Sequence, residues 1–358
     1  MKLGKFILSI SALIGLTVQS YAQDIHFSQF YASPLNLNPA ATGIMPCDLR
    51  VSAIYRNQFA SAMGSKAYNT FSAGVEGKFN AGRADYYGLG FNLWADKAGA
   101  SAFSTVQASI SGSYHKRLGG RRSPDQFLVA GGQLGVSQRS ISTDFLQFGT
   151  QFDGEQYNGS LSSQETFGRT RLTYADFGAG LLWFSALDAK GKSNVYAGIS
   201  FGHLNRPDQA HILSAQGFEP LFMKYTIHGG GDFRVGRRFA IVPNFSFYKQ
   251  GPSMQANFGS AVKFDLSKRS SSDQAFHIGL YTRLRATDDS LTTATNNGAF
   301  ESLILVTRVR FGSNNIGLSY DINMAARVAT GGNGAFELSY IYTLCGGRGR
   351  PMVCPTFQ

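Results

Sequence analysis

Charge is scarce in this chain: only 15% of its 358 residues are Asp, Glu, Lys or Arg. With the excess of Gly and aromatics, that leans away from an average soluble protein. Long apolar runs are missing too. Beyond residue 22 no stretch of eighteen apolar residues occurs, which excludes a helical membrane protein. Cysteine numbers three, with no CxxC pair and no Cys/His cluster at zinc spacing, so no metal is expected. Catalytic signatures are also absent. There is no GxSxG, HExxH or P-loop. His115, His203, His228 and His277 have no Ser- or Asp-bearing motif beside them, His26 precedes the strand-like region and His211 lies in a loop. Gly229–Gly231 lacks the lysine and helix of a phosphate loop and reads as a glycine-rich strand. Neither an enzyme nor a cofactor is expected. The formal charge is +11, yet the basic residues are scattered rather than gathered in a stripe, which argues against nucleic acid.

What is present begins with a leader. Lys2 and Lys5 precede an apolar run from Phe6 to Val18, and Ser20, Tyr21 and Ala22 form a small-x-small site for cleavage after Ala22. Gln23, not cysteine, follows, which disfavours a lipoprotein. Removing residues 1–22 takes away two lysines and lowers the charge from +11 to +9. An exported chain meets an oxidising compartment, where Cys345 and Cys354 can close a small loop. Pairing of either with Cys47, or three free thiols, are the alternatives.

The chain is rich in Gly (42), Phe (29) and Tyr (16), and its dominant pattern is alternation. In 65–79, Ala67, Phe71, Ala73, Val75 and Phe79 share one parity; Lys66, Thr70, Ser72, Gly74, Glu76 and Lys78 share the other. Successive side chains of a strand point to opposite faces, so this period builds a sheet with one apolar and one polar surface. Fourteen such segments are expected: 48–59, 65–79, 85–96, 102–116, 127–138, 174–185, 193–204, 222–235, 239–249, 254–265, 275–285, 300–311, 314–324 and 335–344. Each has about the length of a tilted strand crossing a bilayer, and the number is even.

Connection lengths separate a barrel from a β-sandwich. The long ones, 139–173, 205–221, 286–299 and 325–334, follow odd-numbered strands, while those after even-numbered strands are mostly short, such as 236–238 and 312–313. Outer-membrane barrels sort their loops in this way, with short turns in the periplasm. The expected fold is therefore all-β: a transmembrane, antiparallel, up-and-down β-barrel of about fourteen strands, multi-pass in a bacterial outer membrane. One parity suits lipid (Ala175, Phe177, Ala179, Leu181, Trp183). The other is polar, with Lys224, Thr226, His228, Asp232 and Arg234, then His277, Tyr281, Arg283 and Arg285, then Arg308 and Arg310. Glycines on the inward face (Gly178, Gly180, Gly198, Gly202) leave room for something inside. Residues 23–47, with Pro34 and Pro39 and no strand period, are the natural plug or periplasmic lid.

The division expected is 1–22 leader, 23–47 plug, 48–344 barrel and 345–358 tail. Charge sorts by side. The short turns carry Arg117, Arg121, Arg122, Arg237, Arg238, Lys268 and Arg269, a basic rim for anionic lipid heads or an acidic periplasmic partner.

One segment is specific. Gln23–Gly43 reads QDIHFSQFYASPLNLNPAATG, and the first strand then carries Ile54, Tyr55, Arg56, Asn57, Gln58 and Phe59. This combination resembles the PorP/SprF family of outer-membrane proteins of the type IX secretion and gliding machinery. Gly88–Phe91 with Asp96–Gly99, Gly198–Pro207 and the ending from Cys354 extend the likeness along the chain. Ile25 stands where the family often has proline, and Phe59 where it often has tryptophan.

The resemblance implies a non-enzymatic barrel that helps to secrete, and to retain at the surface, cargo whose C-terminal sorting domain is of type B. Its implied partners are that cargo, periplasmic peptidoglycan-associated components of the machine, and outer-membrane lipid. The motif residues His26, Phe27, Ser28, Gln29, Phe30, Tyr31, Pro34, Asn38, Pro39, Gly43, Tyr55, Arg56, Asn57 and Gln58 then either pack the plug into the barrel or present a surface to a partner. A diffusion channel or FadL-like transporter is the alternative function. A soluble secreted sandwich is the third reading.

Overall fold

The computed structural model describes residues 24–82, 84–99, 102–119, 125–142, 146–164, 170–188, 193–209, 220–266, 274–287, 298–325 and 333–346. Alternating segments become strands wherever they were expected. They are β1 (Leu49–Gln58), β2 (Tyr68–Ala81), β3 (Asp85–Ala98), β4 (Phe103–Arg117), β5 (Gln126–Ser140), β6 (Arg171–Ala186), β7 (Asn194–Gly202), β8 (Lys224–Arg234), β9 (Phe239–Gln250), β10 (Ser253–Asp265), β11 (Gln274–Thr287), β12 (Gly298–Phe311), β13 (Asn314–Asn323) and β14 (Asn333–Leu344). Every strand pairs antiparallel with its neighbours in sequence. The ring closes where β1 meets β14, from Leu49↔Leu344 to Gln58↔Ala335. Closure leaves no unpaired edge, the condition for a sheet to sit in hydrocarbon.

The second strand starts later than its alternation suggests. Ala60–Met63 and Gly64–Lys66 coil into helical turns after Phe59, whose backbone is left-handed (φ 62°). The five longest connections, 141–170, 203–223, 288–297, 59–67 and 324–332, all lie at one end, the loop end. Sorting by parity is not strict, however, because 99–102 and 251–252, also at the loop end, are short. The opposite, turn end holds both the start of β1 and the end of β14.

That geometry corrects the expected disulfide. Cys345 bonds to Cys47, not Cys354. The β1–β14 register carries the residues just beyond Leu49 and Leu344 together, to a Cα separation of 4.2 Å across 298 residues of sequence. Cys354 lies outside the described residues, as do residues 1–22 with the cleavage site.

The two faces follow the pleat. Along β14, Phe336, Leu338, Tyr340 and Leu344 are exposed, whereas Glu337, Ser339, Ile341 and Thr343 are buried. Outward apolar side chains recur on strand after strand, among them Phe71, Val75, Phe91, Leu93, Leu134, Val136, Leu181, Ile227, Phe245, Ile278, Leu280 and Leu305. A belt of this extent far exceeds the apolar patches of soluble monomers.

The buried core lies inside the ring and has two parts. Ala40, Ala41 and Ile44 pack against Phe127, Val129, Leu182, Phe184 and Tyr196. Phe27, Phe30, Tyr31, Ala32 and Leu37 pack against Ile54, Tyr281, Ile304, Val306 and Ile341. Both are built between the N-terminal segment and the inner wall.

Candidate functional site in the barrel lumen

Residues 24–47 run through the lumen from the loop end to the turn end. Two prolines set the path by pre-organising the first turn of short helices: Pro34 opens Pro34–Leu37 and Pro39 opens Pro39–Ala41. Between them Asn38 is extended, and its Oδ1 accepts the Ala40 N–H at 2.8 Å, capping the second turn. Gly43 turns the chain with φ +75°, and a Cβ there would lie 2.8 Å from Gly88 Cα.

At the loop end Asp24 is held by three groups. Its Oδ2 lies 2.5 Å from His203 Nε2 and 3.7 Å from Lys224 Nζ, and its N–H donates to Gln250 Oε1 at 3.0 Å. His203 also reaches Asp176 through Nδ1 at 2.8 Å. Burial opposes charge on both partners, but the charges and hydrogen bonds of Asp24 and Asp176 together outweigh it for His203, and His203, Lys224 and Arg139 together outweigh it for Asp24. The His203 pKa is pushed up to about 9, and Asp24 is held well below the usual carboxylate range. Next to them His26 is half-buried near Arg283 and Arg56; desolvation and those cations push its pKa down, so it is neutral.

One level deeper lies the strongest attachment. Glu337 accepts the N–H of Ser28 at 2.7 Å and of Gln29 at 2.9 Å, and pairs with Arg56 across the β1–β14 seam. Asp321 accepts the Ser28 hydroxyl at 2.8 Å and meets Arg56 at 3.1 Å and Arg283 at 2.9 Å. Arg283 Nη2 also donates to Ser28 Oγ at 2.5 Å and its Nε to Asn257 Oδ1 at 3.1 Å. All four charged residues are at most 2% exposed. Two guanidiniums face two carboxylates, so the cluster is neutral, and its spare acceptors are filled by the segment's backbone. Gln29 completes this level, accepting from Ser339 Oγ at 2.8 Å.

The opposite wall is fitted by removing side chains. Asn38 Nδ2 donates to the carbonyls of Leu181 (3.1 Å) and Ile199 (3.2 Å) and contacts His228 Nε2 at 3.0 Å. A Cβ at Gly180 would overlap Asn38 Oδ1, and one at Gly131 would lie 2.5 Å from the Ala40 nitrogen. Toward the turn end the Thr42 carbonyl accepts from Ser113 Oγ at 2.7 Å and contacts His115 Nε2 at 2.9 Å. The Gly43 N–H donates to Glu76 at 2.7 Å, and Glu76 pairs with Arg50 at 2.8 Å. Lys78 Nζ donates to the Met45 carbonyl at 2.9 Å. Among the described residues, cavities of 70 and 20 Å³ lie between segment and wall at the loop end.

The family-motif residues therefore divide. Phe27, Ser28, Gln29, Phe30, Tyr31, Pro34, Asn38, Pro39 and Gly43 are buried in the lumen. Of the first-strand quartet, Arg56 binds the segment, with Gln58 3.4 Å beside it. Tyr55 and Asn57 take the other parity and meet Asn69 on the outer face, each at 2.7 Å. Of the basic rim, Arg117 is paired with Asp125 at 2.6 Å, and Arg237 and Arg238 are exposed. Arg121, Arg122, Lys268 and Arg269 lie outside the described residues. The wall partners Glu337, Asp321 and Asn257 escaped sequence reasoning, and Glu76 was placed on the polar parity without its role. For the three carboxylates the signal was present: an acid at inward parity with inward arginines on neighbouring strands.

The family model described as "Type IX secretion system membrane protein PorP/SprF" matches residues 19–342. The chain belongs to the PorP/SprF family. No curated protein sequence matches it significantly. Among solved structures, a Pseudomonas aeruginosa FadL homologue is similar at 10% identity and TM-score 0.46, over 88% of this chain and 95% of that one. The CymD monoaromatic hydrocarbon channel is similar at 11% and 0.45, over 88% and 94%. CdiB from Acinetobacter baumannii is similar at 6% and 0.44, and the match spans 82% of this chain but only 60% of CdiB. Likeness at this level speaks to neither cargo nor mechanism. PorP/SprF membership and the closed fourteen-stranded ring indicate a bacterial outer-membrane β-barrel of the type IX secretion system.

Proposed function

We propose that this protein is a closed, non-enzymatic barrel of the type IX machinery. In this reading it assists export or surface attachment of cargo bearing type B C-terminal sorting domains, with its short turns in the periplasm and its long loops outside. One observation carries the proposal: residues 24–47 occupy the lumen along its length, hydrogen-bonded to opposite walls. A lumen filled in this way does not conduct a polypeptide or a stream of solutes, so the barrel works through its ends. The same filling argues against a permanently open diffusion channel. Its partners are taken to be the cargo, periplasmic peptidoglycan-associated components and outer-membrane lipid.

The test is export in cells that lack this protein. Cargo with a type B domain should stay inside, cargo with another sorting domain should leave normally, and returning the intact chain should restore the first. Unimpaired export of the type B cargo would refute the proposal.

A further inference from the structure

Glycines on the outer face set one part of the wall apart. Those facing inward are explained by the N-terminal segment: a Cβ at Gly88 would lie 2.3 Å from the Thr42 carbonyl oxygen, and one at Gly131 2.5 Å from the Ala40 nitrogen. Gly112 and Gly132, paired across β4 and β5, take the other parity, that of exposed Ile110, Tyr114, Leu128 and Leu134. Apart from chain neighbours, a Cβ at Gly112 would meet nothing closer than Leu89 at 3.8 Å, and one at Gly132 nothing closer than the Gly178 carbonyl at 3.9 Å. The chain's own packing therefore requires neither glycine. Their bareness leaves a groove of 650 Å³ on the outer wall, bordered by Phe79, Tyr87, Leu89, Tyr114 and Ala130. That volume lies within the roughly 300–1,000 Å³ of ligand pockets.

The register stacks three levels from the groove toward the turn end. The floor is Leu89↔Gly112↔Gly132. Next comes Tyr87↔Tyr114↔Ala130, with the two tyrosine rings 5.3 Å apart. Last is Lys116↔Leu128↔Trp183. At that level Asp85 Oδ2 accepts from the Tyr114 hydroxyl at 2.7 Å and from Lys116 Nζ at 2.9 Å. Bare apolar floor, then tyrosine, then lysine and tryptophan follow the order in which a leaflet passes from acyl chains to headgroups.

Lys116 is exposed and sits beside a single acid, so the rim offers one accessible cation next to one anion. A zwitterionic headgroup complements that pair, with its phosphate on the Lys116 ammonium and its own ammonium on Asp85, whereas a purely anionic headgroup meets Asp85 with like charge. We propose that the groove is a phospholipid site: an acyl chain lies on Gly112 and Gly132, and a phosphoethanolamine headgroup sits on Lys116 and Asp85. The site deepens, and rests on, the reading that places the short turns in the periplasm, where the adjoining leaflet is phospholipid.

The probe is palmitoyl-oleoyl phosphatidylethanolamine, titrated into the full-length protein in detergent and read by native mass spectrometry. One molecule per barrel should be retained, at least threefold more tightly than phosphatidylglycerol with the same chains. Gly112→Leu and Gly132→Leu, which fill the floor, should each weaken retention at least fivefold, whereas Ala256→Leu, outward on β10, should change it less than twofold. Lys116→Ala should erase the preference over phosphatidylglycerol. Gly132→Ala, whose Cβ has room, should still weaken retention at least twofold and covers the case in which the leucine variants fail to fold. Retention indifferent to the glycine variants, or equal for the two phospholipids, would overturn the site and leave the orientation of the barrel standing. Release of a co-purified membrane protein by Gly132→Leu, in place of a lipid, would assign the groove to that protein and overturn the proposal. A preference for lipopolysaccharide that Gly132→Leu removes would overturn the orientation, and the headgroup assignment with it.

Discussion

Replacing Glu337 by Ala should detach the N-terminal segment from the barrel wall. The carboxylate is fully buried, accepts two backbone N–H groups from Ser28 and Gln29, and pairs with Arg56. Without it, Arg56 and Arg283 share the single carboxylate of Asp321, which leaves one uncompensated positive charge inside the ring. Removing one member of a buried ion pair costs about 3–5 kcal/mol, and a buried donor left unmet costs about 1–3 kcal/mol. These losses share one carboxylate and do not add in full, so about 4–6 kcal/mol of attachment should disappear. Trp94 reports the event directly, since it is buried in the cavity beside Ile25, Asn36 and Leu37. Its emission should shift to the red, and the urea midpoint of the detergent-solubilised protein should fall. Adding Arg56→Ala restores the charge balance and should recover part of the loss. An unchanged midpoint together with unchanged Trp94 emission would refute the account of the cluster.

Other expectations follow from the same contacts. Gly180→Leu should prevent the segment from seating, because even a Cβ overlaps Asn38 Oδ1; limited proteolysis should then cut within residues 24–47, which stay protected in the intact protein. The Asp24–His203 clamp should depend on pH in two windows. The His203 share of its stability is complete below the ordinary pKa of 6.5 and is lost as pH rises toward about 9, while the Asp24 share is lost only in acid, below 3.8. The protection of residues 24–26 against hydrogen exchange, taken relative to the base-catalysed intrinsic rate, should therefore fall between pH 7 and 9.5, and His203→Gln should abolish that step. Charge reversal at Arg237 and Arg238 should leave folding intact, as read by heat-modifiable migration, and should weaken assembly with a periplasmic partner; unaltered assembly would show that the rim serves lipid instead.

Much of the wall was legible because a strand writes its two faces into the sequence at period two. Alternation over a whole strand is legible when both faces have a fixed chemistry, and inward Gly180 and Gly198 already signalled an occupant. The boundaries blurred where apolar parity ran on into a helical turn, as at Ala67 before β2. Pairings across the lumen were not legible. Ser28 and Glu337 are 309 residues apart, and Cys47 and Cys345 are 298 apart. Only barrel closure, which fixes the β1–β14 register, brings them together; spacing alone favoured the nearer Cys354. Arg56 and Tyr55 show the remaining difficulty. They stand side by side in one motif, yet the pleat sends one to the segment and the other to the outer face.

The central claim, that the lumen is closed by the chain's own N-terminal segment, is tested most directly by conductance of the purified protein in planar lipid bilayers. The intact chain should be silent, and a variant lacking residues 24–38 should open steady, long-lived channels. A stable open pore from the intact chain, or silence from the shortened one despite insertion, would contradict it.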